Sequence, residues 1–392
     1  MFRQLIPLTS GALVVGCGSM IVAGILGPIA ADLAVPVSLA GQLTPVYAIA
    51  FATTAPLISV AAARFCPRTV LVAGLLGVAL ANALGAIAPT FEVLMLARVI
   101  GGAGAAAFTP NAVAVAATLS APERRGAAIA LVFGGFSLAA VFGVPVGIWV
   151  GLHVGWRETL ALISVLALLA ALYVGIAVPV AIKLPAADVT KWTGIVRDRR
   201  AMLLLAATMF SVAGAYAVFS FVGPVLASAA GDSPDRLALL LMLFGGAGFL
   251  GTFAAGRLID RIGPVTTVTV NQFAAVAGLA LLFAAQGTLM LTVAALIVWG
   301  GALNSITTAQ QARLIAHAPA LQGVLLPANA SLVCAGQFLG GSIGGAVVAV
   351  RGLTLLPLIG IALVAIGLAV SLYAERRASA PLTGAPDCRV PV

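Results

Sequence analysis

Charge is what this sequence has least of. Only 8% of its 392 residues are Asp, Glu, Lys or Arg, against roughly 25% in a water-soluble domain. Such a chain cannot cover a globular surface in water. Histidine occurs 2 times and Asp plus Glu 11 times, and none of these lies in the middle of an apolar run. Catalysis at membrane depth needs a nucleophile with a base, or a metal cluster, so neither an enzyme, a metal nor a cofactor is expected. The cysteines Cys17, Cys66, Cys334 and Cys388 stand singly, without CxxC or Cys/His spacing, and read as free thiols. Long polar stretches are scarce too. The longest is 180–200, too short to fold as a separate domain.

What is abundant is apolar length, since 62% of the residues are hydrophobic. A bilayer core of about 30 Å needs roughly 20 apolar residues per helix. Reading for such runs gives twelve, near 7–30, 39–62, 69–89, 92–118, 126–151, 157–179, 201–227, 237–257, 265–285, 288–312, 322–349 and 353–374. In lipid the backbone must bond within each segment, so the runs are predicted as helices. The first outlasts a signal-peptide core and reads as an uncleaved helix.

Lys and Arg set the expected topology. Of the 20 such residues, only Arg157, Arg236 and Arg351 fall on the outer side when both termini are placed in the cytoplasm. Arg98 lies within a run, and all the others fall inside. This bias predicts a cytoplasmic orientation for both termini. It also accounts for the net charge of +9 through anionic headgroups, without nucleic acid.

The chain repeats itself. A shift of 197 residues superposes Arg64 on Arg261, Pro67 on Pro264, Gly126 on Gly323, Gly143 on Gly340 and Gly147 on Gly344. An even number of helices per half makes the halves parallel repeats about an axis along the membrane normal. The expected organisation is an all-α polytopic membrane protein of twelve helices in two pseudo-symmetric halves. These are 1–180 and 201–375, joined by a cytoplasmic connector, 181–200, and followed by a tail, 376–392, expected to be disordered.

Several motifs stand out. The fifth run spaces Gly135, Ala139, Gly143 and Gly147 by four residues, and the eleventh does the same with Gly336, Gly340 and Gly344. Small residues at this spacing let helix backbones approach closely. The expectation is tight packing and, with Pro145 permitting a bend, a rocking seam between the halves. Between the eighth and ninth runs, Gly256, Arg257, Asp260, Arg261 and Gly263 form a charged, glycine-bounded turn. Its acid and bases are expected to pair with one another or with helix ends, as a latch. The first-half copy keeps Arg64 and Arg68 but has Ala63 where the acid would stand. An Arg within a membrane helix is costly, and Arg98 in the fourth run is a functional candidate by default.

These motifs resemble those of the major facilitator superfamily, and within it the twelve-helix drug/proton antiporter group, in its arabinose-efflux-permease-like branch. The Gly256–Gly263 segment resembles the signature loop, the Arg98 segment the second motif, and Gly134, Gly143, Pro145 and Gly147 the antiporter motif in part. Pro122–Gly126, Gly155-Trp156-Arg157, Gln311-x-Arg313, Ala318-Pro319 and Asn329 extend the likeness over essentially the whole chain. It implies the major facilitator fold and a secondary active exporter of a drug-like or amphipathic compound by alternating access, in exchange for protons. A dedicated sugar, nucleoside or other metabolite exporter, not proton-coupled, is the alternative.

One departure bears on coupling. The branch usually carries an acid in the middle of helix 1, where this chain has Ser19. Arg98 and Asp32 are then the candidate coupling pair. By resemblance, the cavity between the halves is lined by Ser19, Tyr47, Phe108, Asn111, Phe133, Phe136, Tyr216, Phe219, Asn304, Gln310 and Asn329. Amides and phenols with aromatic walls suit neutral or amphipathic solutes. The expected partners are a small-molecule substrate, protons and membrane lipid, with the protein a monomer in a bacterial inner membrane.

Overall fold

The computed structural model describes residues 2–62, 64–121, 124–179, 198–231, 233–318 and 321–378. The connector 181–197, the tail from 379, Ala63, Pro122, Glu123 and the side chain of Asn304 lie outside the described residues. No strand occurs among the residues that are described. The twelve expected spans appear as helices. We label them α1 (Phe2–Gly24), α2 (Leu43–Ala62), α3 (Pro67–Ala86), α4 (Phe91–Thr118), α5 (Arg125–Leu138, Ala139–Gly143 and Val144–His153) and α6 (Trp156–Ala177). The second half contains α7 (Arg199–Phe219), α8 and α9 (together Pro234–Ala285), α10 (Leu289–His317), α11 (Gln322–Arg351) and α12 (Leu356–Ala378).

Continuous helices of 20 or more residues suit a bilayer, since about 1.5 Å per residue reaches 30 Å. Pro234–Ala285 has 52 residues and a break at Gly263, where φ is 79° and ψ 162°. Pro264 follows, and its ring disfavours helical geometry at the residue before it. Glycine adopts the left-handed conformation required there, so the segment serves as two spans, 234–262 and 264–285.

The ends of the bundle differ in charge. One carries Arg64, Arg68, Arg257, Arg261 and Arg376, and is the arginine-rich end. The opposite, arginine-poor end carries Arg157, Arg236 and Arg351.

The two glycine stripes pack tightly, but not between the halves as expected. A Cβ on Gly135 would lie 2.2 Å from the Thr9 carbonyl oxygen, and one on Gly143 2.3 Å from the Cys17 sulfur. Gly147 is equally close to Ile21, so this stripe seats α5 on α1. In the second half, Gly336, Gly340 and Gly344 lie against Met209, Ala213 and Ala217 and seat α11 on α7. The repeat has therefore copied one intra-half contact.

The halves meet on neighbouring faces. Gly245 of α8 lies against the Ala140 carbonyl of α5, and Gly341 and Gly345 of α11 lie against Pro45 of α2 and Gln42 just before it. One residue along a helix turns the contact by about 100°, which is why a stripe and its neighbour can serve different partners.

Between the two parts of α5 the backbone opens into a π turn over Ala139–Gly143, with Val144 N–H donating to the Ala139 oxygen. Pro145 has no N–H with which to bind the carbonyl of Val141, so the regular ladder is interrupted there. The contact of α5 with α8 runs along this turn and the following segment to His153.

Candidate functional site

The buried cation of the first half is held by main chain. Arg98, 6% exposed, donates from Nε to the Leu43 oxygen (3.1 Å), from Nη1 to Gly18 oxygen (2.7 Å) and from Nη2 to Ser19 oxygen (3.2 Å). Its guanidinium also lies 4.3 Å from the centroid of the Tyr47 ring. Backbone carbonyls and an aromatic face thus replace a carboxylate as its partners. A cavity of about 10 Å³ adjoins it, lined also by Asn82, Gly85 and Gly101, which is about the space of one water.

Asp32 does not join Arg98. It accepts a bond from Arg157 Nη1 and another from Trp156 Nε1 (3.3 Å) at the start of α6. Arg157 also donates to the Ala88 oxygen over 3.0 Å. The hydrogen bond from Arg157 holds the Asp32 carboxyl below the usual range. The expected coupling pair is thus two separate contacts: Arg98 ties α4 to α1 and α2, and Asp32 closes the arginine-poor rim of the first half.

The signature loop does not pair with itself. Arg257, Asp260 and Arg261 are exposed, and among the described residues none of them makes an ion pair. Arg64 is likewise exposed and Arg68 half-buried. The contacts that do join the halves lie toward the other end. Gln42 Nε2 donates to the Gly341 oxygen over 3.5 Å, and Trp149 Nε1 donates to Asp235 Oδ1 over 2.8 Å.

The cavity residues separate into three groups. Phe108 is fully buried, with its ring over Gly11 and its Cβ against Gly74, so it belongs to the core of the first half. Asn111 and Ser19 bond back to the carbonyls of Ala107 and Gly16 on their own helices. Gln310 donates to the Leu204 oxygen (2.6 Å) and braces α10 on α7. Phe136 packs beside Gly16 of α1, and Phe133 is exposed. Asn329 is fully buried and both atoms of its amide lack a hydrogen-bond partner.

Tyr47, Tyr216 and Phe219 lie toward the space between the halves. Cys334 is within electrostatic reach of both tyrosines, and the Tyr47 hydroxyl has no hydrogen-bond partner. Phe219 stacks on Phe244 with ring centroids 5.8 Å apart, and Phe244 meets Trp299 at 4.7 Å. Below them a cavity of about 40 Å³ takes its walls from α1, α5, α7, α8 and α10, including Met20, Val144, Phe219, Leu241 and Phe244. No charged side chain lines it. Phe244, Trp299 and Cys334 were not singled out from sequence, because an aromatic or a thiol in an apolar run carries no mark of which way it faces.

A second polar cluster also went unread. Glu375 of α12 accepts from Arg200 of α7 (3.0 Å) and from Arg313 of α10 (2.8 Å), and Arg313 donates to Ser371 Oγ over 2.7 Å. His317 Nε2 lies 2.7 Å from Asp198 Oδ2, whose other oxygen caps α7. Among the described residues no group of side chains is arranged to hold a metal ion.

An all-helical bundle in two joined halves, with a cavity walled by both, is the architecture of a polytopic membrane protein. A family model, the Major Facilitator Superfamily, matches residues 8–341, and the chain belongs to that family. It is 26% identical to the inner membrane transport protein YdhP of Escherichia coli K12 over 95% of this chain and 96% of that protein. It is 33% identical to the chloramphenicol resistance protein of Streptomyces lividans over 63% of this chain and 64% of that one. Among solved structures, the nucleoside transporter NupG superposes with a TM-score of 0.74 at 16% identity, covering 96% of this chain and 99% of NupG. A bacterial homologue of the lysosomal transporter Spinster, inward-facing and occupied, gives 0.73 at 18%, covering 95% and 96%.

Proposed function

We propose that the protein exports a small, neutral, amphipathic molecule from the cytoplasm by rocking its two halves about the cavity between them. The arginine-rich end faces the cytoplasm in this reading, as the Lys and Arg distribution requires of a bacterial inner-membrane protein. The observation that carries it is the cavity lined by Met20, Phe219 and Phe244 from both halves, without a charged side chain. A cation would find no counter-charge there, and an anion no donor cluster. Its walls of aliphatic and aromatic side chains suit the apolar part of an aromatic or amphipathic solute. Kinship with a chloramphenicol resistance protein supports the outward direction and makes a neutral phenicol the first compound to try.

Exchange for protons is the coupling we propose, supported by the family resemblance. With no carboxylate in the middle of the described helices, the titrating group is sought nearer the helix ends. The test uses purified protein in liposomes with an imposed pH gradient and labelled chloramphenicol, sugars and nucleosides in parallel. Gradient-dependent movement of the phenicol is expected, with none in protein-free vesicles. Movement of a sugar or nucleoside alone would replace the drug reading, and movement without proton counterflow would remove the antiport.

A further inference from the structure

The halves are joined at the arginine-poor rim by a contact that contains a titratable ring. His153 ends α5 in the first half, and its ring stacks on Trp149 with centroids 4.5 Å apart. Trp149 Nε1 donates to Asp235 Oδ1 at the start of α8 in the second half. The two nitrogens of His153 have different neighbours. Nδ1 is 2.9 Å from the Trp149 main-chain oxygen, which can only accept, so Nδ1 carries a proton. Nε2 is 3.6 Å from Asp235 Oδ1.

In neutral imidazole with Nδ1 protonated, Nε2 is a bare lone pair. It then faces a carboxylate oxygen, and the two lone pairs oppose each other. A second proton on the ring converts this opposition into an ion pair across the halves. We infer that His153 and Asp235 form a proton-responsive latch on the outer gate, which acid outside the cell closes. The inference rests on the transporter reading for the meaning of the two sides.

At this rim Arg351 ends α11 and Glu92 bonds within the first turn of α4, and three further charged groups are engaged away from the latch. Arg157 pairs with Asp32, the Glu158 carboxylate folds back over Gly155, and Arg236 points toward the Gly231 turn. Asp232 lies outside the described residues, so a D232N control separates its charge from that of Asp235. Both members of the latch reach solvent, with side chains 35% and 73% exposed, so external protons have direct access. That exposure also limits its strength to that of a surface pair, about threefold in a gating equilibrium.

The test labels Val154→Cys and Met290→Cys in a background with the four native cysteines replaced. The distance distribution between the spin labels is measured in lipid nanodiscs from pH 5.5 to 7.5. The open fraction is expected to rise about threefold with pH. His153→Gln and Asp235→Asn should flatten the response. Asp235→Asn keeps an oxygen for Trp149 and loses only the charge. An unchanged slope in both variants overturns the latch, as does a wild-type distribution indifferent to pH. Liposome transport separates the two ideas. Transport with a pH-insensitive rim leaves the transporter reading standing and removes the latch. A pH-responsive rim in a protein that moves no solute removes the transporter reading instead.

Discussion

The guanidinium of Arg98 donates to the carbonyl oxygen of Gly18 over 2.7 Å, beside Ser19, where the resemblance implied an acid. Main-chain oxygens supply the compensation, and that makes the site tolerant in one respect. Removing a charge whose partners are carbonyls leaves no opposing ion stranded in the membrane. Arg98→Met, of similar length and apolar, should therefore change stability by less than about 2 kcal/mol. If the site serves transport, the same variant should lose at least tenfold in transport rate. Thermal melts in detergent and liposome flux measure the two separately. A protein that no longer folds would make Arg98 a structural tie between α1, α2 and α4.

The cluster around Glu375 behaves in the opposite way. Arg313 is 3% exposed and has a true carboxylate partner. Glu375→Ala leaves that arginine buried and uncompensated, at a cost of about 3–5 kcal/mol. The double variant R313M/E375L removes both charges and should recover most of the loss. Its melting temperature should exceed that of Glu375→Ala. Equal or additive losses would show that the ion pair is not what holds α10 to α12.

How far the sequence reaches can be judged from these two arginines. The twelve spans, the break near Gly263 and the paired stripes were all legible, because apolar length, Pro-Gly chemistry and four-residue spacing are local properties. Which neighbour a stripe faces was not. Gly340 and Gly341 are adjacent in the chain, yet one seats α11 on α7 and the other meets α2 of the opposite half. Only the packing of all helices decides that. Arg98 was marked by its cost in lipid, whereas its carbonyl partners carry no residue identity and leave no trace in composition. Asp32 was expected to pair with Arg98 as the coupling pair. Arg157, also at the arginine-poor end, was the closer partner once α6 was in place.

Asp32 gives a dependence on pH. Its carboxyl is held below the usual range by Arg157, so the folded protein retains the charge more tightly than the unfolded chain. The stabilisation is complete above the ordinary aspartate value of about 3.9 and is lost as pH falls through the lower folded value. Asp32→Asn should abolish that part of the acid sensitivity and leave the melting temperature at about pH 3 closer to that at about pH 5 than in the wild type. An acid dependence identical to that of the wild type would place the sensitivity elsewhere.

Glycine contacts offer a sharp contrast between the two halves. A Cβ on Gly340 would lie 2.0 Å from the Ala213 oxygen, whereas nothing stands within 4 Å of one on Gly134. Gly340→Ala should cost about 1–3 kcal/mol through overpacking, and Gly134→Ala should be neutral or slightly stabilising through its helix propensity. Chemical denaturation of the two variants side by side is the measurement, and equal stability would refute the close approach of α7 and α11.

Gly245 turns the same reasoning on the transport cycle, because its tight neighbour belongs to the other half. A Cβ there would lie 2.1 Å from the Ala140 oxygen in the π turn of α5. That clash exists only while the arginine-poor ends are together. Gly245→Val should therefore penalise this state by about 1–3 kcal/mol and shift the population toward the opposite one by roughly five- to hundredfold. Gly246, with nothing within 4 Å of its Cβ position, supplies the control through Gly246→Ala. Cys334, half-buried and within electrostatic reach of Tyr47 in one half and Tyr216 in the other, is a native reporter. A membrane-impermeant maleimide added on the arginine-poor side of oriented vesicles should label Cys334 faster in Gly245→Val than in the wild type. Gly246→Ala should label at the wild-type rate. Equal rates in all three would mean that α5 and α8 part without moving at Gly245, and that the halves turn about a different line.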